Sequence, residues 1–200
     1  MAGHAVRTEA TRRASQTLEW GESQYSLLDV ALDHLTLART GLYRSILESP
    51  DGDLREPSAE MDRALNGLRQ ASAINELLKA LLTASLLTMM QARSVGPVPT
   101  GHSHAVDAHR SGRWEPALRD KSLAYLSEAQ QIAERGPMPL FLADVHLHRA
   151  RLLGMVTGEE QRAKDELSAA RRLIEKHNYG RRREELADAE QWLAGGDADS

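Results

Sequence analysis

The sequence predicts an all-α fold of about eight helices, arranged as antiparallel hairpins. Leu and Ala fill most apolar positions and aromatic residues make up only 4% of the chain, a composition that favours helices over sheets. Apolar residues recur at helical spacing in several blocks, and no strand-like alternation bounded by hairpin turns stands out. Stop signals separate the blocks, such as Gly136 and Pro137 after Arg135, and Gly180 after His177.

The predicted organisation is one helical-repeat domain over residues 14–194. A flexible tail over 1–13 precedes this domain, and a disordered tail over 195–200 follows it. The segment 94–112 is rich in Pro, Gly, Ser and His, and we expect a long mobile loop there because compact domains seldom need such a connection. Helical periodicity is found near 8–20, 24–48, 57–71, 74–92, 114–135, 138–156, 159–177 and 181–194.

Composition and missing motifs exclude several classes of function. The chain has no cysteine, which rules out disulfides, thiolate catalysis and cysteine-based metal sites. A formal net charge of −4 gives no strong attraction to nucleic acids or anionic membranes. The most apolar window, 74–90, is shorter than a membrane span and carries Glu76 and Lys79, so a buried helix is expected there. No P-loop, HExxH or GxSxG occurs. We therefore expect a cytoplasmic protein without enzymatic activity or a cofactor.

Histidines offer the main candidates for chemistry. In a helix, His146 and His148 point about 200° apart and cannot bind one metal ion together. Asp144 and His148 share a face, either as an acid–base pair or as an ordinary surface pair. The histidine-rich segment 102–109 has the composition of a metal site, but a polar loop explains it equally without one. We predict neither a catalytic residue nor a metal site.

The C-terminal third also contains a group of arginines. Arg171, Arg172 and residues 181–183 have the composition of a cluster that binds phosphate or carboxylate groups. Glu184, Glu185 and other acidic residues lie beside them, which favours an internally compensated surface instead.

An internal repeat emerges when SLLDVALDHLTLAR is placed over PLFLADVHLHRAR. This register aligns His34 with His146, and His146 is therefore predicted to be a packing residue with one ring nitrogen satisfied. The helices that follow carry a large residue and then alanine three positions later, which lets neighbouring helices approach closely. A helical-hairpin solenoid is favoured over a bundle. The aligned positions are Leu28/Leu140, Ala31/Ala143, Leu35/Leu147, Ala38/Ala150 and Arg39/Arg151, then Met61/Leu126/Leu167, Ala64/Ala129/Ala170 and Leu68/Ala133/Ile174.

Several blocks resemble the divergent tetratricopeptide repeats of bacterial multidomain proteins. They are LLDVALDHLTLAR, RALNGLRQA, AQQIAERGPMPLFLADVHLHRARLL and LSAARRLIEKHNYGRRREEL. The resemblance implies a right-handed superhelix of helical hairpins used for protein recognition, without intrinsic catalysis. Such repeats often follow a signalling ATPase module, so it also implies such a module upstream in the same polypeptide or operon. The bulky aromatic residues usual in these repeats are mostly absent.

The same resemblance implies which residues contact a partner. In tetratricopeptide-like superhelices the first helix of each hairpin lines a concave groove. The groove predicted here is apolar at its centre, with arginines towards its ends, and suits an amphipathic helix or extended peptide carrying acidic groups. The predicted contact residues are Arg39, Tyr43, Leu78, Leu82, Met89, Asp144, His148, Arg151 and Met155.

The predicted function is a non-enzymatic scaffold or sensor that binds a protein or peptide partner, with no nucleic-acid or membrane partner. One alternative is a homodimeric helical bundle in which a second copy covers the helix at 74–90. The other is a helical enzyme that uses Asp144 and His148, or the histidines at 102–109.

Overall fold

The computed structural model describes residues 2–19, 25–48, 53–94, 116–154 and 159–196, and no strand occurs among them. The predicted all-α fold is confirmed. A 3₁₀ turn at Gly180–Arg182 precedes the last helix. The described helices are α1 (Ala2–Glu19), α2 (Leu27–Glu48), α3 (Arg55–Gln70), α4 (Ile74–Ser94), α5 (Pro116–Arg135), α6 (Pro139–Leu152), α7 (Glu160–Lys176) and α8 (Arg183–Gly196).

The N-terminal helix is longer than the sequence predicts. It begins at Ala2, whereas the sequence predicts a flexible tail over 1–13. Glu9 binds the guanidinium groups of Arg12 and Arg13, and pairs spaced three and four residues apart stabilise a helix with few apolar residues. The segment 95–115, to which most of the predicted loop belongs, lies outside the described residues, as do residues 197–200 of the predicted C-terminal tail.

The chain divides into two compact units, residues 1–94 and residues 95–200, instead of the single predicted domain. In the first unit, α2 packs along α3, while α1 contacts α2 and α4 contacts α3. In the second unit, α6 packs along α7, while α5 contacts α6 and α8 contacts α7. The helix pairs α2–α4 and α6–α8 also touch. The helices of the two units therefore have neighbours in the same order.

The positions aligned in the sequence occupy equivalent places in the two cores. On α2 and α6 the exposed fractions are 1% for Ala31, 2% for Leu35, 0% for Ala143 and 1% for Leu147. On α3 and α7 the aligned large residues and alanines are likewise buried, and the alanines allow the close helix packing that the pattern predicts. Leu140, which aligns with Leu28, is an exception because it is 40% exposed.

The helices α3 and α7 end in the same kind of turn. Ser72 after α3 has φ 52°, and Asn178 after α7 has φ 50°. The amide of the next residue then donates to a carbonyl in the last turn, from Ala73 to Leu68 over 3.1 Å and from Tyr179 to Ile174 over 2.8 Å. These are the bonds of a Schellman motif, and asparagine is among the residues that tolerate the left-handed conformation. Asn178, and not the predicted Gly180, therefore takes the left-handed conformation just after α7.

The glycines allow a matched test of the packing between α2 and α3. A Cβ atom added at Gly67 would lie 2.7 Å from the Cβ of Ala31, whereas one added at Gly180 would meet nothing within 4 Å. We expect Gly67→Ala to be destabilising, because overpacking costs about 1–3 kcal/mol and opposes a helix-propensity gain of about 1 kcal/mol. Gly180→Ala is the control and should change stability by less than about 1 kcal/mol. Urea unfolding measures both, and a Gly67→Ala variant as stable as the control would contradict the close approach.

Candidate partner-binding faces

A histidine–glutamate pair joins the two central helices of each unit. His34 Nδ1 on α2 lies 2.6 Å from Glu60 Oε2 on α3. His146 Nδ1 on α6 lies 2.5 Å from Glu166 Oε2 on α7. All four side chains are between 13% and 20% exposed. The predicted packing role of His146, with one ring nitrogen satisfied, is confirmed, and the same contact exists at His34.

An arginine completes each of these pairs. Arg63 binds Glu60 within α3, and Arg149 Nη1 lies 3.5 Å from Glu166 Oε1 across the α6–α7 hairpin. Burial alone would raise the pKa of the Glu166 carboxyl, but the hydrogen bond from His146 and the charge of Arg149 outweigh burial and leave that pKa below its usual value. Each glutamate therefore links the two helices of its hairpin.

Arg39 and Arg151 occupy aligned positions on α2 and α6. Neither forms a link of this kind to a carboxylate among the described residues. Arg39 is partly buried, and its Nε donates to Thr83 Oγ1 over 3.3 Å, a neutral acceptor on α4. Burial lowers the pKa of Arg39. Arg151 is also partly buried. Within the described ranges, neither arginine forms an ion pair with a carboxylate, so both retain charge that a partner can neutralise.

The C-terminal half of α2 presents apolar side chains to solvent next to Arg39. Tyr43, one turn beyond Arg39, is 47% exposed, Ile46 is 37% exposed and Leu47 is 64% exposed. The sequence prediction included Tyr43 and missed Ile46 and Leu47. Their spacing of three and four residues from Tyr43 places them on its side of the helix, which is the signal that would have identified them. Together, Arg39, Tyr43, Ile46 and Leu47 form what we call the α2 face.

The predicted apolar centre of the groove is wrong. Leu78 is 0% exposed, Leu82 is 7% exposed and Met89 is 6% exposed, so none of them is available to a ligand. Buried residues cover most of the surface of α4, and its solvent-facing stripe carries Asn75 and Lys79. The expectation of a buried helix over 74–90 is confirmed, and no second copy is needed to cover these three side chains.

Asp144 is also wrongly assigned to the partner-binding face. Asp144 is only 6% exposed. Arg182 donates to both of its carboxylate oxygens, from Nε over 2.7 Å and from Nη2 over 3.2 Å. Arg182 Nη1 also donates to Glu185 over 2.5 Å. Burial raises the pKa of Asp144 although Arg182 opposes that change, while the bonds to Asp144 raise the pKa of Arg182. Asp144 therefore ties α6 to the turn before α8, and its oxygens are not directed to His148.

His148 remains beside Arg151 on α6, three residues away. Burial, followed by the charges of Arg151 and Arg182, lowers the pKa of His148 to about 3. The ring is therefore neutral near pH 7 and offers a hydrogen-bonding group without charge. Met155, the last predicted contact residue, lies outside the described residues. We call His148 and Arg151 the α6 face.

The other predicted candidates divide into two groups. In the arginine cluster, Arg171 pairs with Glu190 and Arg182 with Asp144, whereas Arg183 binds the neutral amide of Asn178. The histidines at 102–109 lie outside the described residues. Among the residues that the structure describes, no three His, Asp or Glu side chains are grouped to hold a metal ion, and no helix there combines the length and apolarity needed to cross a membrane.

The histidine–glutamate pair predicts an acid-sensitive contribution to stability. The folded pKa of Glu166 lies below its ordinary value of 4.5, so its contribution is present above that value and is lost as the pH falls through the folded pKa. Glu166→Gln should lower the free energy of unfolding at pH 7 by about 1–2 kcal/mol, and this difference should shrink in acid. Glu190→Gln, at an exposed pair, is the control and should cost less than about 1 kcal/mol. Equal effects of the two variants would contradict the assignment.

His148 predicts a second effect of pH. Between its ordinary pKa of 6.5 and the folded value of about 3, the unfolded chain binds a proton that the folded chain does not. Stability should therefore fall as the pH drops below 6.5, by up to about 2 kcal/mol at pH 5. His148→Gln should remove that part of the pH dependence, whereas His177→Gln, at an exposed position, should leave it unchanged. Urea unfolding at a series of pH values compares the slopes, and an unchanged slope in His148→Gln would refute the prediction.

No protein-family model, curated protein or solved structure matches this chain. The resemblance to divergent tetratricopeptide repeats therefore stays a prediction from the sequence. The faces of α2 and α6 are the basis on which a function can be inferred.

Proposed function

We propose that this chain is a non-enzymatic interaction module that binds acidic proteins or peptides, with one binding face in each unit, the α2 face in the first and the α6 face in the second. The observation that carries this proposal is the contrast between two sets of aligned positions. The histidines at 34 and 146 each bind a glutamate across the hairpin. The arginines at 39 and 151 lie on the same helices, and neither has a carboxylate partner among the described residues.

The cost of placing a charge in a partly buried position supports this interpretation. Removing a guanidinium from water is unfavourable unless hydrogen bonds or an opposite charge compensate. Arg39 has one long bond to a hydroxyl, and burial lowers its pKa although the charge of Glu76 favours the guanidinium. A carboxylate on a partner would supply the missing compensation, preferably in the two-bond geometry that guanidinium groups favour.

The neighbouring side chains favour an amphipathic partner. Tyr43, Ile46 and Leu47 expose apolar surface within two turns of Arg39. Tyrosine and arginine are the residue types that most often dominate interface energetics, and an apolar patch beside a cation suits a helix with one apolar and one acidic side. An extended peptide with alternating apolar and acidic residues is compatible with the same surface.

The resemblance to tetratricopeptide repeats adds a biological setting to the proposal. In that setting the chain would act as a sensor or regulatory module, and an ATPase module would be encoded upstream in the same polypeptide or operon. The DNA immediately upstream tests this part directly. An in-frame ATPase module there would support the sensor role, and an unrelated upstream gene would favour a free-standing adaptor.

Charge reversal at both arginines tests the binding proposal. The probes are immobilised amphipathic peptides with acidic residues on one side and the same peptides with those residues replaced by lysine. The wild-type chain should bind the acidic set, and Arg39→Glu with Arg151→Glu should weaken that binding by at least about tenfold because two charge-assisted contacts are lost. Circular dichroism should show unchanged helicity and melting.

Two control variants separate recognition from general effects. Arg135→Glu with Arg172→Glu makes the same change in net charge at exposed positions and should leave peptide binding unchanged. Thr83→Val removes the hydroxyl that Arg39 contacts without changing charge, and should also retain binding. Equal binding of the acidic and lysine-containing peptides, or full binding by the folded double variant, would overturn the proposal.

A further inference from the structure

A cavity of about 400 Å³ lies within the first unit, between α1, α2 and the start of α3. Its wall contains both apolar and polar surface. Hydroxyl groups come from Thr11, Ser15, Thr40 and Ser45, and the charged groups are those of Arg44, Asp53, Glu56 and Glu60. The volume falls in the range of sites that hold small molecules. None of its lining residues belongs to the α2 face.

The second unit provides an internal comparison for this cavity. The register that aligns His34 with His146 places Thr40 and Gly41 of α2 opposite Leu152 and Leu153, and both leucines are 1% exposed. The two units therefore differ in residue type at these positions. In the first unit a hydroxyl and a glycine line the cavity.

Gly41 also has a packing reason to lack a side chain. A Cβ atom there would lie 2.5 Å from Cγ of Pro57 at the start of α3. The close contact between α2 and α3 thus excludes a side chain at residue 41. The hydroxyl of Thr40 donates to the carbonyl of Leu37 over 3.0 Å, which leaves oxygen lone pairs free to accept.

The charges around the cavity are not equivalent. Asp53 forms a two-bond ion pair with Arg55, and Glu60 is bound by His34 and Arg63. Arg44 and Glu56 are exposed, and neither forms an ion pair within the described part of the chain. Of the lining charges, one cation and one anion therefore remain to contact a ligand.

We propose that this cavity binds a small zwitterion, with the chemistry of a free α-amino acid. The ligand carboxylate would bind Arg44, its ammonium group would bind Glu56, and the hydroxyls of Ser15 and Thr40 would receive its remaining polar atoms. A ligand that carries both charges leaves neither Arg44 nor Glu56 unmatched, whereas a simple amine or a simple carboxylate satisfies one of them. The site is separate from the α2 face and does not rest on peptide binding.

Nuclear magnetic resonance titration of the full chain tests this site. The probes are individual L-amino acids, together with amines and carboxylic acids of the same side chain that lack the other charge. Saturable shifts should appear for at least one amino acid at residues of α1, α2 and α3 that line the cavity. Both single-charge analogues should bind at least about tenfold more weakly, since each loses one charge-assisted contact.

Three variants connect the binding to the cavity. Thr40→Leu introduces the residue found at the aligned position of the second unit and should abolish binding by filling the space. Thr36→Leu is its matched control, one turn earlier, where the hydroxyl also donates to a carbonyl of its own helix but does not line the cavity. Thr36→Leu should retain binding. Arg44→Gln, at an exposed position, should weaken binding about tenfold and does not depend on how Thr40→Leu folds.

Several outcomes would overturn the proposal. These are the absence of saturable shifts with every amino acid, equal binding of an analogue that carries one charge, and unchanged binding in the folded Thr40→Leu or Arg44→Gln variant. Loss of peptide binding at the α2 face would leave this site unaffected, so the two proposals fail independently.

Discussion

The close approach of the two central helices in each unit is the constraint on which the rest of the structure depends. Small residues make it possible, as at Gly67, where the backbone of α3 comes so near Ala31 that a Cβ atom would overlap with it. This spacing brings a histidine on one helix within reach of a glutamate on the next, at 2.6 Å in one unit and 2.5 Å in the other. Ion pairs that depend on such an approach cannot form in a loosely packed hairpin, so packing and charge pairing specify the same arrangement.

This constraint also divides the charged side chains of the hairpins into two kinds. A charge that points into the hairpin has to be matched there, because a buried ion without a partner is costly. Glu60 and Glu166 satisfy that requirement through the histidine and the arginine that bind each of them. A charge at the edge of the hairpin is under weaker pressure and can remain available. The aligned arginines occupy edge positions of this kind, and their lack of carboxylate partners within the described residues is therefore informative about binding.

The sequence was sufficient to predict most helices and the positions that pack against each other, because both depend on periodicity along one chain. The exposure of Leu78 could not be predicted in this way, since periodicity shows which side of a helix a residue occupies but not which neighbours cover it. The bond from Arg182 to Asp144 joins residues 38 positions apart, and nothing in either segment specifies the other. The alignment could have indicated Glu60 and Glu166, because each directly precedes an aligned large residue. Residue spacing does not, however, give the distance between these glutamates and the histidines.

The two units also show where such a scaffold leaves room to vary. Alanines between the central helices are shared by both units, as at Ala31 and Ala143, since a larger side chain would force the backbones apart. Thr40 and Gly41 of α2 differ in size and polarity from Leu152 and Leu153 at the aligned positions of α6. Gly41 is required by the close approach of Pro57, whereas Thr40 places a hydroxyl at a position where leucine would bury more apolar area. Thr40 is therefore the position at which the first unit exchanges apolar packing for a polar group in its cavity.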